Sequence, residues 1–250
     1  MAPITLTDVS KRFKDYNCRN RWLRKDLIDT ALGKPKDYGW RTVLRDINIE
    51  INSGETVAIV GRNGSGKTTL LQLMAGIIQP TTGKIYRYGS TCTLFDVGAG
   101  FHDDLTGIEN VFINGAILGL PQRYLQSMLS EVESFAELQG FMNTPIKFYS
   151  SGMRARLGFA VAMIADPDIF LIDEVLAVGD AGFRKRCYAR LRTHVSRGRT
   201  IVMVSHDTYA IEQLCSRAIW IHDGAIRADG PAADVCREYV DHFDAPALVT

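Results

Sequence analysis

Apolar and polar positions along this chain fall into strand-like and helix-like spacings that take turns. Ile4, Leu6 and Val9 stand among polar neighbours and predict an edge strand, and VLRDINIEI (Val43 to Ile51) alternates again. TVAIV (56–60) and IFLID (169–173) are short unbroken apolar runs, and TIVMVSH (200–206) is a third run of this kind. Such runs fit strands covered on both faces. Helical spacing covers Thr68 to Ile78, residues 105–140, Met153 to Ala165 and residues 182–197. Ala218 to Ile221 and Ala225 to Arg227 flank Asp223-Gly224 and predict a hairpin. Buried strands alternating with helices predict an α/β fold whose sheet carries helices on both faces. No internal repeat or low-complexity tract interrupts the pattern. The expectation is one domain over residues 1–245, with 246–250 as a frayed tail.

Residues 14–42 break the pattern. They hold Arg19, Arg21, Arg24 and Lys25 among eight basic side chains, with Trp22, Tyr38 and Trp40 interleaved. A solvated loop and a membrane-facing patch near lipid phosphates both fit this composition. Elsewhere composition excludes more than it selects. The 250 residues are 46% apolar and 23% charged, with a net charge of +1, so no global field singles out nucleic acid. No apolar run reaches the ~18 residues of a membrane span, and MAPITLTDVSKRF lacks a secretory pattern. Five scattered cysteines, an odd number, suit a reduced cytosolic protein with its thiols in the core.

The chemistry concentrates in GRNGSGKT, Gly61 to Thr68, which fits G-x-x-x-x-G-K-[ST] and follows a buried strand. Gly61, Gly64 and Gly66 allow the tight turn that aims N–H groups inward. Asn63, Ser65 and Thr69 complete the loop, and the following helix adds its positive end, a nest for a triphosphate. Lys67 can reach the β- and γ-phosphates, and Thr68 can offer its hydroxyl to Mg²⁺. A second requirement is a carboxylate at a neighbouring strand end. IFLIDE supplies Asp173 for the metal and Glu174 beside it, able to polarise an attacking water. Two adjacent acids ending a strand also fit a turn with a helix cap.

KFYSSGMRARLGFAVA (147–162) opens an apolar helix with a small-residue loop. With the P-loop and IFLIDE, it resembles the nucleotide-binding subunits of ABC transporters over residues 4–240, excluding much of 14–42. The resemblance implies a P-loop NTPase of the ABC type: a mixed core sheet flanked by helices, an antiparallel β edge and a helical signature subdomain at about 100–165. It implies ATP and Mg²⁺ as cofactors, and a homodimer in which each ATP lies between one copy's P-loop and Ser150, Ser151 and Gly152 of the other. YSSGM departs from the family's usual LSGGQ but keeps Ser150 and Gly152. His206 matches the switch histidine, Gly179-Asp180 the D-loop, and Phe13, or else Tyr16, the aromatic that stacks on adenine. Phe13 packed in the core is the alternative. The family's glutamine before the signature is missing; Asp96 in LFDVGAG stands nearest and could serve the metal.

LFDVGAGFHDDLTGIENV, YSSGMRARLGFAVA and DEVLAVGDAGFRKR are together similar to the ATPase subunits of bacterial polysaccharide exporters, in their short form without a carbohydrate-binding domain. That implies a peripheral position at the cytoplasmic face of the inner membrane. It also implies an integral-membrane permease as partner and a lipid-linked glycan, O-antigen first, as cargo. Capsule or teichoic-acid export remains open, as does a soluble non-transport ABC ATPase.

Overall fold

The computed structural model describes residues 2–15, 39–95, 98, 100–173, 180–205 and 207–244. Tyr16, Asp96, Glu174, Gly179, His206, Cys18 and most of the 14–42 segment therefore lie outside the described residues.

A three-stranded antiparallel sheet forms from β1 (Ile4–Asp15), β2 (Gly39–Ile51) and β4 (Thr82–Arg87) in the order β2-β1-β4. β1 is thus the middle strand, not the predicted edge strand. Ile4 pairs with Ile51 on one side and Arg87 on the other. Side-chain alternation reports one buried face and carries no count of neighbours, and this is why the sequence pattern misled here.

The second sheet has the order β5-β6-β7-β3-β8-β9. Its strands are β3 (Thr56–Val60), β5 (Thr91–Leu94), β6 (Ile169–Asp173), β7 (Thr200–Val204), β8 (Arg217–His222) and β9 (Ala225–Pro231). All neighbours are parallel except β8 and β9, the expected hairpin. Both faces are covered, as the unbroken apolar runs require. Val57 and Ile59 join Leu44, Ile49, Leu70 and Leu71 on the side of the antiparallel sheet and α1 (Lys67–Ala75). Ala58 and Val60 face the other way, toward Phe170, Phe183 and Trp220. That side is closed by α5 (Ala181–Ser196), α6 (Thr208–Leu214) and α7 (Ala232–Asp244). Each large side chain so buried contributes about 1.5–3 kcal/mol. Cys92, Cys187, Cys215 and Cys236 are buried free thiols, and burial pushes the first three up to about 12, so they act as small apolar groups.

A third core lies in a helical layer made by α2 (Gly107–Ile117), α3 (Gln122–Ala136) and α4 (Ser151–Ile164), around Val111, Leu125, Val132, Leu157 and Val161.

Arg217 ties the sheet edge together. It holds Asp229 through two parallel bonds of 2.6 and 2.7 Å, and its third nitrogen reaches Glu50 O and Glu55 Oε1. Bidentate, charge-assisted geometry of this kind is the strong form of ion pair. Arg217→Met is expected to destabilise the fold by about 2 kcal/mol, shifting the urea midpoint without changing the slope. A shift below about 0.5 kcal/mol would show that the network contributes only surface solvation.

Candidate functional site

The loop from Gly61 to Gly66 joins β3, a central strand, to α1. Gly66 caps the helix with φ 109° and offers no side-chain cap. By contrast Thr106, Ser150, Asp180 and Asp207 cap α2, α4, α5 and α6 with their side-chain oxygens. The first amides of α1 are therefore left for an anion. Gly66 is also required by space: a Cβ there would lie 2.7 Å from Leu44 Cδ2 in the left-handed region. Gly61 has φ 152°, and a Cβ on it would meet Ile221 O and, at 2.7 Å, Ser65 Oγ.

Lys67 is only 5% exposed, and its Nζ donates to Gly61 O at 2.8 Å and Arg62 O at 3.1 Å. The loop thus folds around its own ammonium group. One cleft of about 550 Å³ brings Asn63, Gly64, Gly66, Lys67, Thr68 and Thr69 together with Asp173. Asp173 reaches it as the last residue of β6, paired with Val204 of the adjacent strand. Ligands of open parallel sheets sit at the carboxyl ends of the strands, where this cleft opens. Ser65 lines a neighbouring pocket of about 570 Å³ with Arg62, His222 and Tyr239, a feature that sequence reasoning missed.

Ser150, Ser151 and Gly152 do not line the cleft. They open α4 in the helical layer, where Ser150 Oγ accepts from Met153 N at 3.2 Å and both serines are exposed. The approach to this turn is firmly pinned. Tyr149 donates to Phe141 O at 2.8 Å, Arg154 to Ile146 O at 3.1 Å, and Arg156 to Ala136 O at 2.9 Å. Arg154 also pairs with Asp103 at 2.7 Å and Lys147 with Asp104 at 2.9 Å. Asn110, fully buried, holds the 102–106 turn through bonds to His102, Leu105 and Thr106. Arg154 and Arg156 therefore brace the helix.

Asp180 is exposed and caps α5, accepting from Phe183 N at 2.8 Å. That bond holds its carboxyl below the usual range. Phe13 stands on β1, 40% exposed, outside the core that was its alternative place. Of the expected site residues, Tyr16, Asp96, Glu174 and His206 lie outside the described residues. Sequence reasoning also missed Arg41, which lines the same cleft beside Val43; it precedes the alternating run that starts at Val43, so no local spacing marked it.

A helix without a side-chain cap, entered from a central parallel strand through a glycine loop that encloses its own lysine, is the fold of a P-loop nucleotide-binding protein. Residues 44–177 match the family described as ABC transporter, and the chain belongs to that family. It is 43% identical over 243 residues to the O-antigen export system ATP-binding protein RfbB of Myxococcus xanthus, covering 96% of this chain and 56% of that one. The chain thus spans little more than half of that relative. RfbB of Klebsiella pneumoniae is 42% identical over 241 residues, covering 94% and 96% of the two chains. The teichoic acids export ATP-binding protein TagH of Listeria monocytogenes is 42% identical, with 96% and 70% covered. Among solved structures, the ATP-binding subunit of an ABC transporter superposes with a TM-score of 0.74 at 20% identity, covering 94% and 92%. A dimeric ATP-binding cassette bound to ADP and Pi gives 0.71 at 21%, covering 92% and 98%. At these identities the solved structures show the fold.

Proposed function

We propose that this chain is the ATP-binding and ATP-hydrolysing subunit of a bacterial exporter of lipid-linked polysaccharide, with O-antigen the foremost cargo. It works as a homodimer on an integral-membrane permease, at the cytoplasmic face of the inner membrane. The carrying observation is that the P-loop cleft and the Ser150 turn stand apart in one chain. The P-loop cleft holds Lys67 and Asp173, while Ser150 is presented outward on a braced helix and does not line it. A second copy completes the site by bringing its Ser150 to the first copy's γ-phosphate. The cargo follows the names of the relatives, and TagH supports teichoic acid as the second reading.

In this reading residues 1–245 act as one ATPase domain. Phe13, or else Tyr16, supports the adenine. The loop amides from Gly61 to Gly66, with Asn63, Ser65 and Thr69, surround the phosphates, and Lys67 neutralises their charge. Thr68 and Asp173 give two hard oxygen donors on the same cleft, with Asp96 as a further donor in sequence. That donor set suits Mg²⁺, which takes few protein ligands alongside phosphate oxygens. Bound there, Mg²⁺ would offset charge on the β- and γ-phosphates. Glu174 accepts a proton from the water that attacks the γ-phosphorus, as the bond to the bridging oxygen breaks and ADP leaves. His206 donates to the γ-phosphate, and Ser150, Ser151, Gly152 and Asp180 close the site from the other copy. ATP contacts both copies, so its binding favours the closed pair and its cleavage releases it.

Among the described residues no helix is long and apolar enough to cross a membrane. An apolar groove of about 310 Å³ between β5, α2 and α4, lined by Leu94, Phe95, Ile117 and Leu118, supports contact with a separate membrane protein. Ile117 is 69% exposed at its edge. Deleting the gene in the source bacterium is expected to leave full-length polysaccharide on its carrier lipid inside the cell. The missing surface polymer then identifies the cargo. A normal cell-surface polysaccharide would overturn the exporter reading and favour a soluble ATPase.

A further inference from the structure

We propose that Arg41 grips the nucleotide at its α-phosphate, from the base end of the cleft. The inference rests on the reading of that cleft as the ATP site.

The register of the antiparallel sheet carries it. The register shifts between the Lys11–Leu44 and Arg12–Thr42 pairs, so Val43 sits at a bulge, and the lining of the cleft places it with Arg41. Val43 lines the cleft, and so does Arg41, two residues before it on β2. Phe13 is the cross-strand partner of Arg41, so the ring stands on the same face, with the two Cβ atoms about 5 Å apart. Lys11 holds the ring from one side, its Nζ 5.0 Å from the ring centroid and 2.6 Å from Gln79 O.

The order of groups along the cleft follows. Gly66 of the loop packs against Leu44 and the Val43 carbonyl. From there β2 runs away from the loop through Val43 to Arg41, about 7 Å on. A nucleotide with its β- and γ-phosphates over Gly64 to Thr68 and its base on Phe13 must pass its α-phosphate across this interval. Arg41 is exposed, and among the described residues no hydrogen bond or ion pair holds its guanidinium. Lys67, by contrast, is drawn onto two loop carbonyls. A guanidinium presents a planar fork that fits two phosphate oxygens at once. The α-phosphate is common to ATP and ADP, so Arg41 contributes equally to both and takes no part in sensing the γ-phosphate.

The test uses the full chain and its Arg41→Ala, Arg41→Lys and Lys67→Ala variants, titrated calorimetrically with ADP and a non-hydrolysable ATP analogue. Arg41→Ala is expected to weaken both by the same factor, roughly tenfold or more. Arg41→Lys should recover part of the loss, and the nucleotide-free melting temperature should hold. In turnover the loss should fall on KM rather than kcat. Unchanged affinities, a loss confined to the ATP analogue, or a fall in kcat alone would overturn the assignment. If Lys67→Ala abolishes binding while Arg41→Ala binds like wild type, Arg41 alone is misassigned. If the wild type binds neither nucleotide, or Lys67→Ala binds like wild type, the ATP-site reading falls with it.

Discussion

Replacing Lys67 with alanine is expected to weaken ATP binding at least 100-fold and to reduce phosphate release to background. Its ammonium group is 5% exposed and lies between Gly61 O and Arg62 O, at the centre of a loop whose helix offers no side-chain cap. A cation so enclosed is poorly screened, so its attraction for a triphosphate exceeds that of a surface lysine. A 100-fold loss corresponds to about 2.7 kcal/mol, within reach of one charge-assisted contact to a polyanion. The variant also removes the donor to two carbonyls of the loop, so its melting curve belongs in the experiment. Calorimetric titration of a folded Lys67→Ala chain that bound ATP within threefold of wild type would remove the loop from the function.

Glu174→Gln is expected to keep ATP affinity, lower turnover at least 100-fold and accumulate an ATP-bound dimer. Glu174 follows Asp173, the strand end that the cleft includes, and is the acid proposed to take the proton of the attacking water. The amide has nearly the shape of the carboxylate but cannot accept the proton of the attacking water. Cleavage stops while every binding contact remains, and the energy that draws two copies together is no longer released. Size-exclusion chromatography with ATP should show twice the monomer mass, and with ADP the monomer. Wild-type phosphate release from this variant would take Glu174 out of the mechanism.

Much of this site could be read residue by residue. GRNGSGKT lies where strand meets helix, and Asp173 lies on the same cleft, because short apolar runs between helices leave little choice of fold. Exposed elements were harder. β4 reads TGKIYR, with only Ile85 partly shielded, and no strand was expected there. α7 was not anticipated either, although it supplies Val235 and Cys236 to the core and Tyr239 to the pocket beside the loop. Its apolar positions are interrupted by charged ones, and their meaning depends on the sheet they meet. Arg41 was grouped with the basic 14–42 segment, yet it belongs to β2 and to the cleft.

The sequence by itself determined the loop, its lysine, the strand-end acid and the small-residue turn at Ser150, because each depends on residue types at fixed local spacing. Tertiary structure alone decided that β1 is central and that Arg41 shares a face with Phe13. It likewise decided that Ser150 stands apart from the cleft of its own chain. Those facts come from register and from the packing of elements far apart in the chain, and local spacing carries no information about either.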